Sequence, residues 1–195
     1  MEAQREKIRT ALMDGVIKVV VNNGFDKATT RAITSSVSDV RLNDAYIYRY
    51  FQDKEDLFQK TFMRADRKFI QTINDNLHYI EETDVEIKER CRKLWYACWE
   101  FLLGNKDEYI FYLRYYYSAY FKEYALKEHM ALYKAFMERF EKYVPQTKDV
   151  AGMMHTLLEF ALSELAKADD PNLRLNEREK RNFELVWNII LLYFS

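Results

Sequence analysis

The chain has 195 residues, only two prolines and four glycines, and a net charge of −1. So few helix breakers point to an all-α chain, and 49 % hydrophobic with 31 % charged residues argues against disorder. The balanced charge excludes a purely electrostatic nucleic-acid binder; residues 1–60 carry ten Lys and Arg against nine Asp and Glu, so any nucleic-acid contact must be local.

The predicted elements follow in chain order. A first helix spans 5–23, with Ile8, Leu12, Val16, Val19 and Val20 at helical spacing, and Asn22-Asn23-Gly24 ends it. Thr29 or Thr30 caps a short helix over 30–36. After a polar break through Asp39, Asn43 or Asp44 caps a third short helix to about Phe51. Asp53 caps a long fourth helix with Leu57, Phe58, Phe62, Phe69, Ile73 and Leu77 inward. Thr83 or Asp84 starts the next, which Gly104-Asn105 stops. Residues 107–122 read as an aromatic helix, and 123–143 as a continuation that halts at Pro145. A helix over 148–168 ends before Asp169-Asp170-Pro171, and Asn176 with Glu179 resembles a capping box that opens the last one. The count is about nine helices.

Charged residues at the start (Glu2, Arg5, Glu6, Lys7) do not form a signal peptide. No apolar run approaches the roughly 20 residues of a membrane span, so a soluble, cytoplasmic chain with no membrane partner is expected. Cys91 and Cys98 lie about two turns apart on one helix face, too far for a disulfide, and are expected to be buried thiols.

Short helix, turn, short helix, long helix is the layout of a helix-turn-helix. The Tyr-x-x-Phe-x-x-Lys-Glu-x-Leu pattern from Tyr48 to Leu57, with Gly24-Phe25 and the Thr29-Thr30 cap, resembles the reading head of the TetR family of repressors over about residues 8–60. One departure stands out: Ser36-Val37-Ser38-Asp39-Val40-Arg41 is roughly three residues longer than the short Gly-containing turn usual there, and it has no Gly. The resemblance implies a helix-turn-helix domain over 1–52, a ligand-sensing and dimerising domain over 53–195, and a double-stranded DNA operator as partner.

The residues suit that role on their own chemistry. Thr29, Thr30 and Arg31 open a helix whose free N–H groups can hold a phosphate. Asn43, Asp44, Ala45 and Tyr46 sit at a helix N-terminus, where base edges are read: Asn43 suits adenine, and Ala45 or Tyr46 a thymine methyl. The hydroxyls of Tyr48 and Tyr50, with the Lys54 ammonium, suit backbone phosphates. The competing reading is that the three tyrosines are ordinary packing residues.

Aromatic side chains concentrate over 95–121. A site for a flat or greasy ligand, formed by Trp95, Trp99, Tyr112, Tyr115 and Tyr116, stands beside a plain core of large side chains. Glu100, Glu108 and Glu123 in or beside the stretch suit a lipophilic cation. In the last two helices Met154, Leu158, Leu162, Trp187, Ile190, Leu191 and Phe194 belong to apolar stripes. The terminal helix is apolar all round, which calls for burial on two sides and suggests a homodimer interface; a central helix of the monomer is the alternative. The resemblance implies the same dimer.

No phosphate loop, His–Glu metal pair or nucleophile motif is present. His78, His129 and His155 lack metal spacing, so neither enzyme chemistry nor a cofactor is expected. The sequence therefore reads as a ligand-responsive DNA-binding regulator, a repressor released by a small lipophilic or aromatic inducer. An all-helical small-molecule carrier or di-iron bundle is the alternative.

Overall fold

A computed structural model describes residues 2–38, 42–167 and 175–194, the side chains of Tyr124 and of residues 175–182 excepted. Among them are ten α-helices, one 3-10 turn and an isolated bridge between Thr147 and Phe194. They group into two units, Met1–Asp66 with Asp107–His129, and Arg67–Lys106 with Met130–Ser195.

The first unit begins with α1 (Glu2–Asn23), which buries Leu12, Val16 and Val20 completely. Gly24 ends it at φ 80, its N–H donating to the Val20 carbonyl at 2.9 Å; this left-handed conformation requires glycine. After the 3-10 turn Phe25–Lys27, α2 (Thr30–Ser36) starts on Thr29, whose Oγ1 accepts from Ala32 N at 3.1 Å. α2 lies hard against α1 at Gly15, where a Cβ would meet the Ile33 carbonyl at 2.9 Å. α3 (Ala45–Tyr50) buries Ile47. α4 (Lys54–Asn76) opens on a reciprocal cap: Asp53 Oδ1 accepts from Asp56 N at 2.7 Å, and Asp56 Oδ2 from Gln52 N at 3.0 Å.

The lengthened turn lies partly outside the described residues, at 39–41. The Asp169-Asp170-Pro171 break lies wholly outside them. α5 (His78–Glu81) is a short helix that the sequence pattern does not announce. It shifts the next start: Thr83 N donates to the Glu81 carbonyl and Val85 N to the Glu82 carbonyl, so the chain is still turning where a helix was expected. α6 runs Ile87–Gly104 and α7 Lys106–Tyr116. α7 stops earlier than expected because Ser118 Oγ donates to the Tyr115 carbonyl (2.7 Å) and accepts from Tyr120 N (3.2 Å). α8 (Glu123–Tyr143) then begins afresh.

The first unit's core is aromatic. Phe25 packs edge-on to Phe58, ring centroids 5.2 Å apart, and Phe62 stacks on Tyr112 at 4.5 Å. Arg114 on α7 donates through Nη1 to the carbonyls of Val20 (2.6 Å) and Val21 (2.8 Å), closing the end of α1.

In the second unit, α9 (Val150–Ala166) is capped by Asp149, and α10 runs Leu175–Leu192. Asn176 therefore stands inside the first turn of α10 rather than before it, and its side chain is outside the description. The end of α10 is tied back by Lys148 N to the Tyr193 carbonyl (2.9 Å) and by Thr156 with the Tyr193 hydroxyl (2.8 Å). Of the described residues, no helix is long and apolar enough to cross a membrane.

Candidate functional site: a helical reading head and an apolar cavity

The head is built around Asp44. Its Oδ1 accepts from the Thr34 hydroxyl at 3.1 Å and its Oδ2 from the Thr30 hydroxyl at 3.4 Å, which pins the start of α3 to α2. Asn43 Oδ1 accepts from Ala45 N at 3.1 Å. Both side chains therefore shape the turn, and a bidentate grip of Asn43 on adenine would need its oxygen released from that bond. Thr29 is likewise engaged as the α2 cap, while Arg31 beside it is exposed.

On α3 the three tyrosines separate. Tyr46 and Tyr50, four apart, stack on each other at 6.5 Å and are half-buried. Tyr48 is 61 % exposed. With Ala45 and Arg49, also exposed, it forms the outward face at i, i+3, i+4 spacing. Arg49, a residue that the sequence reading passed over, places its guanidinium 6.0 Å from the Tyr50 ring centre. A basic residue between two aromatics was the available signal. Lys54 is half-buried with Nζ 5.5 Å from the Phe58 ring.

The second unit holds a partly open cavity of about 70 Å³. α4 contributes Phe69 and Ile73, α6 contributes Cys91, Trp95, Cys98 and Trp99, α9 contributes Met153 and Met154, and α10 contributes Val186 and Ile190. Trp95 and Trp99 stack at 6.0 Å. Both cysteines are free and buried, and burial pushes each thiol up to about 12. Among the described residues, no carboxylate lines this cavity. Glu100 and Glu123 are exposed, and Glu108 pairs with Arg64 at 3.2 Å in the first unit.

The sequence matches no family model, and no curated protein matches it. Solved structures do match, over nearly the whole chain. A TetR family transcription regulator from Marinobacter aquaeolei VT8 superposes with TM-score 0.75 at 15 % identity, covering 97 % of this chain and 98 % of that one. A putative TetR family regulator from Shewanella sp. PV-4 gives 0.73 at 17 %, covering 92 % and 96 %. The fatty acid degradation regulator FadR from Bacillus halodurans gives 0.63 at 19 %, covering 91 % and 93 %.

This chain has the TetR regulator fold.

Within the TetR fold, the five aromatic residues expected at one ligand site divide between the two units. Trp95 and Trp99 line the cavity. Tyr112 and Tyr115 are almost completely buried in the first unit: Tyr112 Oη donates to Asp66 Oδ1 at 3.1 Å, and Tyr115 Oη to the Tyr120 carbonyl at 3.1 Å. Tyr116 packs on Phe121 at 4.6 Å in the same unit. The helix break at Gly104-Asn105 separates the two groups, so one aromatic-rich stretch serves two cores.

The residues expected at a dimer interface also divide. Leu162 and Ile190 are buried in their own unit, and Met154, Leu158 and Ile190 line the cavity, Met154 and Leu158 remaining half-buried. Trp187 and Phe194 pack edge-on at 5.9 Å and are half-buried. Leu191 is 44 % exposed, and it is joined by Leu185 and Leu192, at 42 % and 81 %.

Proposed function

We propose that the chain is a DNA-binding transcription regulator of the TetR type, a homodimeric repressor that a small lipophilic molecule releases from its operator. The observation that carries this reading is the outward face of α3, with Ala45, Tyr48 and Arg49 on a short helix pinned to α2 by Asp44, in a fold shared end to end with proteins named as TetR regulators. A short second helix with its polar side outward suits the major groove, and a hydroxyl beside a guanidinium suits phosphates or base edges. The contacts proposed for DNA are Arg31, Ala45, Tyr48 and Arg49, with the α2 N-terminus at Thr29 and Thr30 beside a phosphate. Lys54, Tyr46 and Tyr50 support that face from behind.

The cavity supports ligand control. Its walls are apolar, and FadR among the similar structures is named a fatty acid degradation regulator, which favours a lipophilic ligand. Typical small-molecule sites occupy about 300–1,000 Å³. A cavity of about 70 Å³ must therefore widen to admit one. Phe69 and Ile73 in its wall belong to α4, whose N-terminal half carries Leu57 and Phe58 of the head's core. The proposed coupling runs along α4 itself. A ligand that favours the widened state lowers DNA affinity, and DNA lowers ligand affinity by the same factor. The exposed leucines of α10 are proposed as the dimer contact, placing two heads on a pseudo-palindromic site.

The experiment is a selection of random duplexes by the purified chain, followed by mobility-shift titration of the winners. A preferred sequence with two half-sites is expected. Recovery of no preferred duplex would remove the reading.

A further inference from the structure

The cavity is apolar, yet the helix that supplies much of its wall carries buried donors without acceptors. Arg90 on α6 precedes Cys91, a wall residue, and is 9 % exposed. Among the described residues its guanidinium makes one hydrogen bond, from Nη1 to the Ile80 carbonyl at 2.7 Å, and Ile80 is also a wall residue. Its Nε is buried with no partner. One turn beyond Cys91, Trp95 lines the cavity with its indole Nε1 buried and equally unpartnered. Arg90 itself stands behind the wall residues Ile80 and Cys91; burial raises the Cys91 thiol, and the positive charge of Arg90 works against that rise.

Arginine keeps its charge in a protein, and an isolated buried charge is costly unless something opposes it. Both missing partners are acceptors. A ligand with a cationic head would leave them unmet and add repulsion, while a neutral alkyl ligand would fill the cavity and leave the guanidinium alone. We infer that the ligand is a lipophilic carboxylate, its alkyl chain among Phe69, Trp99, Met153 and Ile190 and its carboxylate on Arg90. This inference rests on the reading of the cavity as the ligand site. The thioether side chains of Met153 and Met154 are unbranched and adaptable, which suits a wall that must give way to a chain.

The test uses the full-length chain without DNA and three ten-carbon probes that differ in head group: decanoate, 1-decanol and decyltrimethylammonium. Calorimetry and tryptophan fluorescence report binding, since Trp95 and Trp99 are on the wall. Decanoate is expected to bind roughly tenfold tighter than decanol, in line with a hydrogen bond to a charged group, and the cation weakest. Arg90→Met is expected to remove the preference for decanoate while leaving decanol binding in place, and Arg90→Lys to keep part of it. Should Arg90→Met fail to fold because Ile80 loses its donor, as circular dichroism would reveal, the head-group series on the unaltered chain still decides. Equal affinity for decanoate and decanol overturns the inference. Binding of none of the three overturns the cavity as a ligand site and this inference with it, while sequence-selective DNA binding, measured separately, would stand.

Discussion

His129 Nδ1 lies 2.8 Å from Asp66 Oδ2, and Asp66 is fully buried among aromatic rings. The Tyr112 hydroxyl donates to the other carboxylate oxygen. Three polar side chains, from α4, α7 and α8, thus complete one another inside the first unit's core.

Removing the centre of that group strands the rest. Asp66→Ala removes the carboxylate that the Tyr112 hydroxyl and the His129 ring share, and a buried polar group left unsatisfied costs about 1–3 kcal/mol. Asp66→Asn keeps an acceptor and should cost less. Urea denaturation of the two variants checks this; equal stability of Asp66→Ala and the parent would show that the network adds nothing.

The outward face of α3 is expected to act through phosphates and bases without holding up the fold. Arg49→Ala should weaken binding to all duplexes and lower the slope of log affinity against log salt by about 1. Tyr48→Phe should leave thermal stability unchanged, since the side chain is 61 % exposed, while reducing affinity. A full salt slope in Arg49→Ala would place that guanidinium away from DNA.

Assembly should respond to Leu192, which is 81 % exposed in one chain and makes no core of its own. Leu192→Glu is expected to convert a dimer to a folded monomer, because a charge buried at an interface is unpaired. Light scattering that finds the same mass for parent and variant would move the interface elsewhere.

The cysteines give a pH signature. Burial raises both thiols to about 12 from an ordinary 9.0. Between those values the unfolded chain releases protons that the folded chain retains. Folded stability is therefore lost as pH rises from about 9 toward 12, by up to about 1.4 kcal/mol per pH unit for each thiol. The slope should be shallower in a Cys91→Ala, Cys98→Ala double variant. Iodoacetamide should label the native chain very slowly at neutral pH; rapid labelling would contradict buried thiols.

What the sequence discloses here is what local chemistry writes. Thr29 and Asp53 cap where their side chains and spacing suggest, and Gly24 ends α1 because its backbone needs positive φ. The helix stop at Gly104-Asn105 is legible too, but its consequence is not. The stop divides the aromatic run between two cores, which places Tyr112 and Tyr115 far from the role that composition suggested. Asp66 and His129 are 63 positions apart, and no periodicity links them. The terminal helix is apolar on both sides, but only packing shows that Ile190 is turned inward while Leu191 is turned out. Arg90 looks like any surface cation of an amphipathic helix until its burial is seen.

In the proposed switch, ligand in the cavity and DNA on the head oppose each other. The most direct measurement is the affinity of the full chain for its selected operator across a decanoate titration, paired with decanoate affinity at saturating operator. Each is expected to lower the affinity for the other by the same factor, roughly 5- to 150-fold. Operator affinity that stays constant while decanoate fills the cavity would contradict it.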